Sequence, residues 1–197
     1  KIRMFLGSNG YIASNLLRSL EACENTIFLP RSSEQLTSAI DSCLKSSPKG
    51  DCHDGPHGPM GEWDVSRVMD MSALFASSTF TGDISKWDVS SAINMKGTFS
   101  NAKSFNGNIS KWDVSSVTDM NSMFMNAISF NIDISKWDVS RVKDMGSMFR
   151  RVKSFSDISK WDVSSVVDMT NMFASTNFEG DISKWNVSSV KDMEGMF

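Results

Sequence analysis

Tryptophan recurs along this chain at a nearly constant interval. The six tryptophans follow one another every 24 or 25 residues, at Trp63, Trp87, Trp112, Trp137, Trp161 and Trp185. Aligned on tryptophan, the unit reads I-S-K-W-D-V-S-S-V-x-D-M-x-x-M-F-x-x-A-x-S-F-N-x-D. A fixed period between about 20 and 50 residues is typical of proteins built from stacked repeats. The sequence therefore predicts a tandem-repeat solenoid of five full repeats and a truncated sixth.

Each repeat divides into a part of constant length and a part that varies. The span from the tryptophan to the first phenylalanine keeps its length, as in 112–124 and 137–149, and every one-residue deletion falls after that phenylalanine. Ordered elements resist deletions, whereas loops absorb them. We therefore expect the constant span to be the ordered core of each repeat, with its Trp, Met and Phe side chains buried.

The constant span combines two hydrophobic periods. The first is the alternation of a short strand, shown by Ile134, Trp137 and Val139. The second is the spacing of one helix face, shown by Val142, Met145, Met148 and Phe149. Ser140 stands between them, where it suits a helix N-cap. The predicted fold class is an α/β repeat solenoid, a leucine-rich-repeat-like stack of a short strand plus a helical turn in each repeat of about 25 residues.

The first sixty residues do not repeat. We expect residues 1–49 to form a small N-terminal α/β cap on the apolar end of the stack, residues 50–61 to be a Gly/Pro-rich linker, and residues 62–197 to be the repeats. Residues 1–20 are basic and serine-rich without acidic side chains, as in an organelle transit peptide. The opening lysine and the stop inside a repeat indicate a piece of a longer protein.

Gly7, Gly10 and Ala13 form a G-x-x-G-x-x-A pattern after a strand-like opening. This pattern resembles the start of extended short-chain dehydrogenases, whose glycines let a pyrophosphate approach a helix N-terminus. The resemblance implies an alternative function, a nucleotide-binding or oxidoreductase-derived remnant in residues 1–60. Two features count against a working site. No acidic residue ends the second predicted strand, at 26–30, and the sole tyrosine, Tyr11, leaves no Tyr-x-x-x-Lys motif.

The repeats carry no pattern that favours catalysis. They contain no histidine, and no nucleophile stands beside a recognisable base. The aspartates that follow the tryptophans suggest a calcium hypothesis, but a lysine precedes each of those tryptophans from Trp87 onward, so the two columns neutralise each other without an ion. We therefore predict no enzyme activity, no cofactor and no metal.

Two of the three cysteines, Cys43 and Cys52, lie close in sequence to both histidines. The spacing of Cys43, Cys52, His53 and His57 matches no common zinc site. In an oxidising compartment we expect a Cys43–Cys52 or a Cys23–Cys43 disulfide. Asn108-Ile-Ser and Asn186-Val-Ser are N-glycosylation sequons, each at a position where other repeats have aspartate.

One repeat departs from the others in charge. The formal net charge of −3 disfavours nucleic acid as a partner, and no apolar run reaches the ~20 residues of a transmembrane helix. Repeat four concentrates five basic residues: Arg141, Lys143, Arg150, Arg151 and Lys153. Such a positive field can steer an acidic partner, and its alternative is a solvated charged face. We predict a docking patch for a protein partner, acidic in character.

The repeat unit, over about residues 61–197, resembles the BspA-type leucine-rich-like repeats of bacterial surface proteins and mycoplasma lipoproteins. Similar repeats occur in algae and other protists. The resemblance implies a non-enzymatic protein-binding or scaffold module, of the surface adhesion type or as a structural subunit of a larger assembly such as an algal supercomplex. It implies an extracytoplasmic or cell-surface location, with an organelle such as a plastid as the alternative.

Overall fold

The computed structural model describes residues 27–153 and 155–197. Helix α1, Ser33–Ser46, is the only α-helix of these residues, and a single 3-10 turn follows at Met60–Glu62. Ser32 caps α1, since its side chain accepts a hydrogen bond from the N–H of Gln35. One face of the helix is buried, through Leu36, Ala39, Ile40 and Cys43. Of the predicted α/β cap, the described residues thus contain a helix and no strand.

The predicted fold class, an α/β repeat solenoid of strand and helix, is wrong. Within residues 62–153 and 155–197 the repeats contain no α-helix and no strand longer than a single bridge. One isolated parallel bridge joins each repeat to the next: Asp70–Asn94, Asn94–Asp119, Asp119–Asp144, Asp144–Asp168 and Asp168–Asp192. The repeats are therefore a stack of consecutive turns, without the strand-and-helix unit of a leucine-rich repeat.

The predicted strand is interrupted by turns that its own aspartates form. The carboxylates of Asp133 and Asp138 accept the backbone N–H groups of Ser135 and Ser140, each at 3.0 Å. These are Asx turns, in which a side chain takes the place of a strand partner. The N–H of Trp137 donates to the carbonyl of Ile134 at 3.1 Å, which closes a turn within the predicted strand.

The predicted helix is interrupted by positive φ angles. Ser147 has φ +56° and Arg151 has φ +60°, and the same two columns are left-handed in the other repeats. Each stands third in a four-residue turn, closed by the N–H groups of Met148 and Val152, as a type II turn requires. A right-handed helix needs negative φ at every residue. The apolar spacing of about three residues therefore comes from successive turns.

These turns direct alternate N–H groups toward the following repeat. The N–H groups of residues 145, 147, 149 and 151 donate to the carbonyls of 168, 170, 172 and 174, over 2.7–3.0 Å. The same four bonds recur at the three preceding junctions of the stack. We call this segment, residues 144–151 and its equivalents, the ladder. It satisfies backbone groups between repeats, so neighbouring repeats stabilise one another.

The aromatic side chains form columns inside the stack. The first phenylalanines of repeats one to five, Phe75, Phe99, Phe124, Phe149 and Phe173, are no more than 1% exposed. Their ring centroids are 5.5–6.1 Å apart, at interplanar angles of 2–10°, within the range of favourable aromatic pairs. The tryptophans are also buried. Apart from Met69, the Trp, Met and Phe side chains of the constant span are buried in all five full repeats, as predicted.

Every tryptophan from Trp112 onward also donates a hydrogen bond to the preceding repeat. The indole N–H of Trp137 donates to the carbonyl of Ile109 at 3.3 Å, and that of Trp112 donates to Ile84 in the same way at 3.2 Å. The column continues through Trp161 and Trp185. A buried indole N–H needs such a partner. Tryptophan therefore contributes both apolar area and a hydrogen bond between repeats.

Residues before Trp63 cover the first repeat. The four buried side chains of α1 belong to the same core as the repeats. The hydroxyl of Ser33 donates to the carbonyl of Asp70, at the start of the first ladder. Cys43 and Cys52 form a disulfide, with Cα atoms 5.5 Å apart, that ties the end of α1 to residues 50–61. The predicted boundary between cap and linker stays a prediction.

Candidate functional site

The five basic residues predicted as a docking patch fall into two groups. Arg141 and Lys143 immediately precede the ladder of repeat four, whereas Arg150, Arg151 and Lys153 lie at its far end. The ladder between them runs in register beside that of repeat five and does not fold back. The structure therefore separates the two groups to opposite ends of the ladder. All five are exposed except Arg150, which is half-buried.

Arg141 is at one end of a shallow groove, which we call the serine groove. It is lined by residues at equivalent positions of four successive repeats: Ser66, Arg67, Met69, Ser90, Ser91, Ile93, Ser116, Thr118 and Arg141. Met69 and Ile93 are large apolar side chains that are 55% and 38% exposed. The groove thus combines an apolar strip, hydroxyl groups and an arginine at either end, and no carboxylate lines it.

Arg150 occupies a position where other repeats carry small or apolar side chains. Its Nε is buried and has no hydrogen-bond partner among the described residues. An unsatisfied buried donor typically costs about 1–3 kcal/mol. Because Arg150 is half-buried, charge reversal there would place a carboxylate in a partly buried site, so Arg150 is left out of the charge-reversal variants below. Arg151 and Lys153 are the members of that group whose side chains are exposed.

Arg151 also has strained backbone geometry. Its φ of +60° lies in the left-handed region, which is uncommon for residues other than Gly, Asn and Asp. The equivalent positions hold Ser77, Asn101, Asn126 and Ser175, all with positive φ. The amide Nδ2 of Asn126 donates to Oδ1 of Asn101 at 2.7 Å, so asparagines at this position also bind each other. Arginine is the residue least suited to this column, and sequence periodicity gave no sign of that.

The aspartate columns serve the turns. In the I-S-K-W segment the carboxylates of Asp83, Asp133, Asp157 and Asp181 each accept the backbone N–H of the serine two residues later, at 2.8–3.0 Å. For Asp133 the pKa is lowered mainly by that N–H, with the hydroxyl of Ser135 as the second cause. For Asp83 the hydroxyl of Ser85 is the larger cause of the lowered pKa. These hydrogen bonds therefore stabilise the charged form of the carboxylates, and the neighbouring Lys86 and Lys136 contribute in the same direction.

The other predicted sites have the following outcomes. Across residues 27–153 and 155–197, no group of three or more His, Cys, Asp or Glu side chains is placed to hold a metal ion. The disulfide takes two of the four side chains considered for zinc. Gly7, Gly10, Ala13 and Cys23 lie outside the described residues, so the nucleotide-binding alternative stays a prediction.

Sequence reasoning missed the serine groove. Its positions lie three, four or six residues after the tryptophans of repeats one to four. The signal in the sequence was Arg67, Met69 and Ile93, whose equivalents in repeat three are Ser116 and Thr118. The cluster of basic residues lies within one repeat and is visible in a single stretch of sequence, whereas the groove is formed by a few positions from each of four repeats. These positions are far apart in sequence, and only the stacked structure brings them together as one groove with an arginine at either end.

Comparison with known proteins gives a family and no function. No helix among the described residues is both long enough and apolar enough to cross a membrane. No curated protein and no solved structure matches the chain. A family model, described as Mycoplasma protein of unknown function, DUF285, matches residues 51–158 and 133–197. Those two regions span the repeats and the segment that leads into them, so the chain is a repeat protein and belongs to the DUF285 family.

Proposed function

We propose that this chain is a non-enzymatic protein-binding or scaffold module that binds a partner across several repeats. The observation that supports this function best is the serine groove, because it extends over repeats one to four. Stacked repeats create extended surfaces of this kind, to which a length of another protein can bind. Exposed Met69 and Ile93 supply apolar contact in the groove, and the hydroxyl groups supply hydrogen bonds.

The partner is an acidic protein segment. Arg67 and Arg141 stand at the two ends of the groove, and Lys143 is two residues after Arg141 in the chain. Arginine binds carboxylates in a bidentate manner, which fixes register as well as adding affinity. Arg151 and Lys153, at the other end of the ladder of repeat four, are a second positive group, which a partner long enough to reach both ends of the ladder could contact. A BspA-type surface protein or a subunit of a larger assembly would both use such a surface.

Charge reversal at each group tests this function. The bait is the immobilised protein, extract from the native source supplies candidates, and mass spectrometry identifies the captured protein. Its affinity is then measured for Arg141→Glu with Lys143→Glu, and separately for Arg151→Glu with Lys153→Glu. We expect the first pair to weaken binding about tenfold or more at low salt, which equals about 1.4 kcal/mol.

The matched control reverses Lys86 and Lys111 to glutamate. Both are exposed lysines of the column that precedes the tryptophans, away from the residues that line the groove. Melting temperatures of all variants are recorded to separate binding from folding. If both basic pairs leave the affinity unchanged while the control also leaves it unchanged, the proposed docking surface is wrong.

A further inference from the structure

The structure places one of the two sequons in an exposed turn that repeats along the stack. Asn108 is exposed and stands where repeats on either side have Asp83 and Asp133, which are also exposed. All three side chains make the same contact, accepting the N–H of the serine two residues later. Asparagine therefore replaces aspartate here without changing the turn.

Hydrogen bonding fixes the orientation of the Asn108 amide. The backbone N–H of Ser110 is 3.2 Å from Oδ1 of Asn108, and the hydroxyl of Ser110 donates to the same oxygen at 2.7 Å. A backbone N–H can only donate, so the atom that receives it must be the oxygen. Nδ2 consequently points away from Ser110, and among the described residues it donates to no protein group.

We propose that Asn108 is an N-glycosylation site of this protein. The motif Asn108-Ile-Ser110 has the required serine at its third position and no proline between. In the transfer, Nδ2 forms a bond to the anomeric carbon of an oligosaccharide carried on a polyprenyl diphosphate. The bond between that carbon and the diphosphate oxygen breaks, the diphosphate leaves with the electron pair, and Nδ2 loses one proton to a base of the transferase.

The disulfide points to the compartment in which this reaction occurs. Cys43 and Cys52 are bridged, and structural disulfides form in oxidising compartments such as the secretory lumen. N-linked glycans belong to the same environment. Disulfide and sequon are separate features of the chain, so they support this inference independently.

The fold has room for a glycan at this position. Asn106 and Lys111, on either side of the turn, are exposed as well, and the buried side chain of Ile109 points into the core. No residue of this turn lines the serine groove. A glycan on Asn108 would therefore cover the edge formed by these turns and leave the groove open.

The test uses the full chain directed through the secretory pathway of a eukaryotic host. Asn186→Asp removes the second sequon, and aspartate is the residue most repeats carry there, so a single acceptor remains. Intact mass is measured before and after digestion with a peptide N-glycosidase, on secreted and cell-retained protein alike. We expect a glycan that the enzyme releases, leaving aspartate at position 108.

Three variants in the same background sharpen the result. Asn108→Asp restores the aspartate of the neighbouring repeats and should remove the glycan without lowering the melting temperature. Ser110→Ala should also remove it. Asp133→Asn combined with Asn108→Asp creates the sequon in the equivalent turn of the next repeat, and glycosylation should return there. A full-length chain that enters the pathway, forms its disulfide and carries no glycan at Asn108 would overturn the proposal.

Discussion

At the scale of single residues, equivalent positions in successive repeats act as internal controls for one another. The column with positive φ holds serine at position 77, asparagine at 101 and 126, and arginine at 151. Each residue meets the same backbone requirement, so the differences between them report side-chain preference. The left-handed conformation costs more conformational free energy for Arg151 than for the asparagines at the equivalent positions. The positive φ belongs to the turn, since every full repeat has it, and Arg151 differs from its equivalents only in its side chain.

Replacing Arg151 by asparagine should stabilise the protein. Asparagine tolerates left-handed φ better than arginine does, and it can extend the contact that Asn126 makes with Asn101. We expect the free energy of unfolding, from urea titration, to rise by about 0.5–1 kcal/mol.

Arg141→Asn is the control for this variant. It removes one positive charge at an exposed position that is not among those with positive φ. Its stability should stay within about 0.5 kcal/mol of the parent. Equal stabilisation by the two variants would mean that charge, and not backbone strain, explains the effect.

At the scale of elements, the unit of this fold is the turn. The hydrophobic spacing that predicts Val142, Met145, Met148 and Phe149 on one side is correct, since all four are buried. The same spacing failed as a predictor of helix, because a series of turns closed over three residues also brings every third side chain to one side. Asx turns and left-handed residues leave no trace in hydropathy. The serines and asparagines at positions 122, 126 and 147 were the available signal.

Acid should weaken these turns. Several of the aspartates that accept from serine, among them Asp64, Asp83 and Asp133, have a lowered pKa in the folded protein because of those hydrogen bonds. A lowered folded pKa contributes stability above the unfolded value of about 3.9, and that stability is lost as the pH falls through the folded pKa. We expect the urea midpoint to decrease from about pH 5 to about pH 3.

Asparagine substitution identifies the carboxylates responsible. Asp83→Asn, Asp133→Asn and Asp181→Asn, combined in protein made in bacteria, keep the turn acceptor that Asn108 and Asn186 already supply. The triple variant should lose less stability than the parent over the same pH interval. An acid decline of identical size in both proteins would show that other groups cause it.

At the scale of the whole molecule, neighbouring repeats stabilise one another through the hydrogen bonds of the ladder and of the tryptophans. The period of tryptophan predicts the number of repeats and the constant span, and the structure buries the expected side chains. The segment before Trp63 was harder to predict, because α1 and the disulfide occur once and form no pattern. The basic residues of repeat four were found from charge alone. Their separation into two groups depends on the path of the ladder, which only the stacked structure defines.

Tryptophan substitutions measure how strongly neighbouring repeats stabilise one another. Trp137→Ala removes a buried ring and leaves the carbonyl of Ile109 without its indole donor, and such changes cost about 3–5 kcal/mol. Trp185 lies in repeat six, whose outer residues are largely exposed, so Trp185→Ala should cost clearly less. Calorimetry of both variants gives the comparison. Equal losses of melting temperature would argue against coupling between neighbouring repeats.

Scalar coupling across hydrogen bonds tests the turn-built ladder most directly. In the structure the N–H of Phe149 donates to the carbonyl of Met172 in the next repeat at 3.0 Å. Triple-resonance NMR on deuterated protein should therefore detect coupling between the amide nitrogen of Phe149 and the carbonyl carbon of Met172. A helical repeat would instead couple that nitrogen to the carbonyl carbon of Met145, four residues earlier. Coupling to Met172 is the result this account predicts, and coupling to Met145 would contradict it.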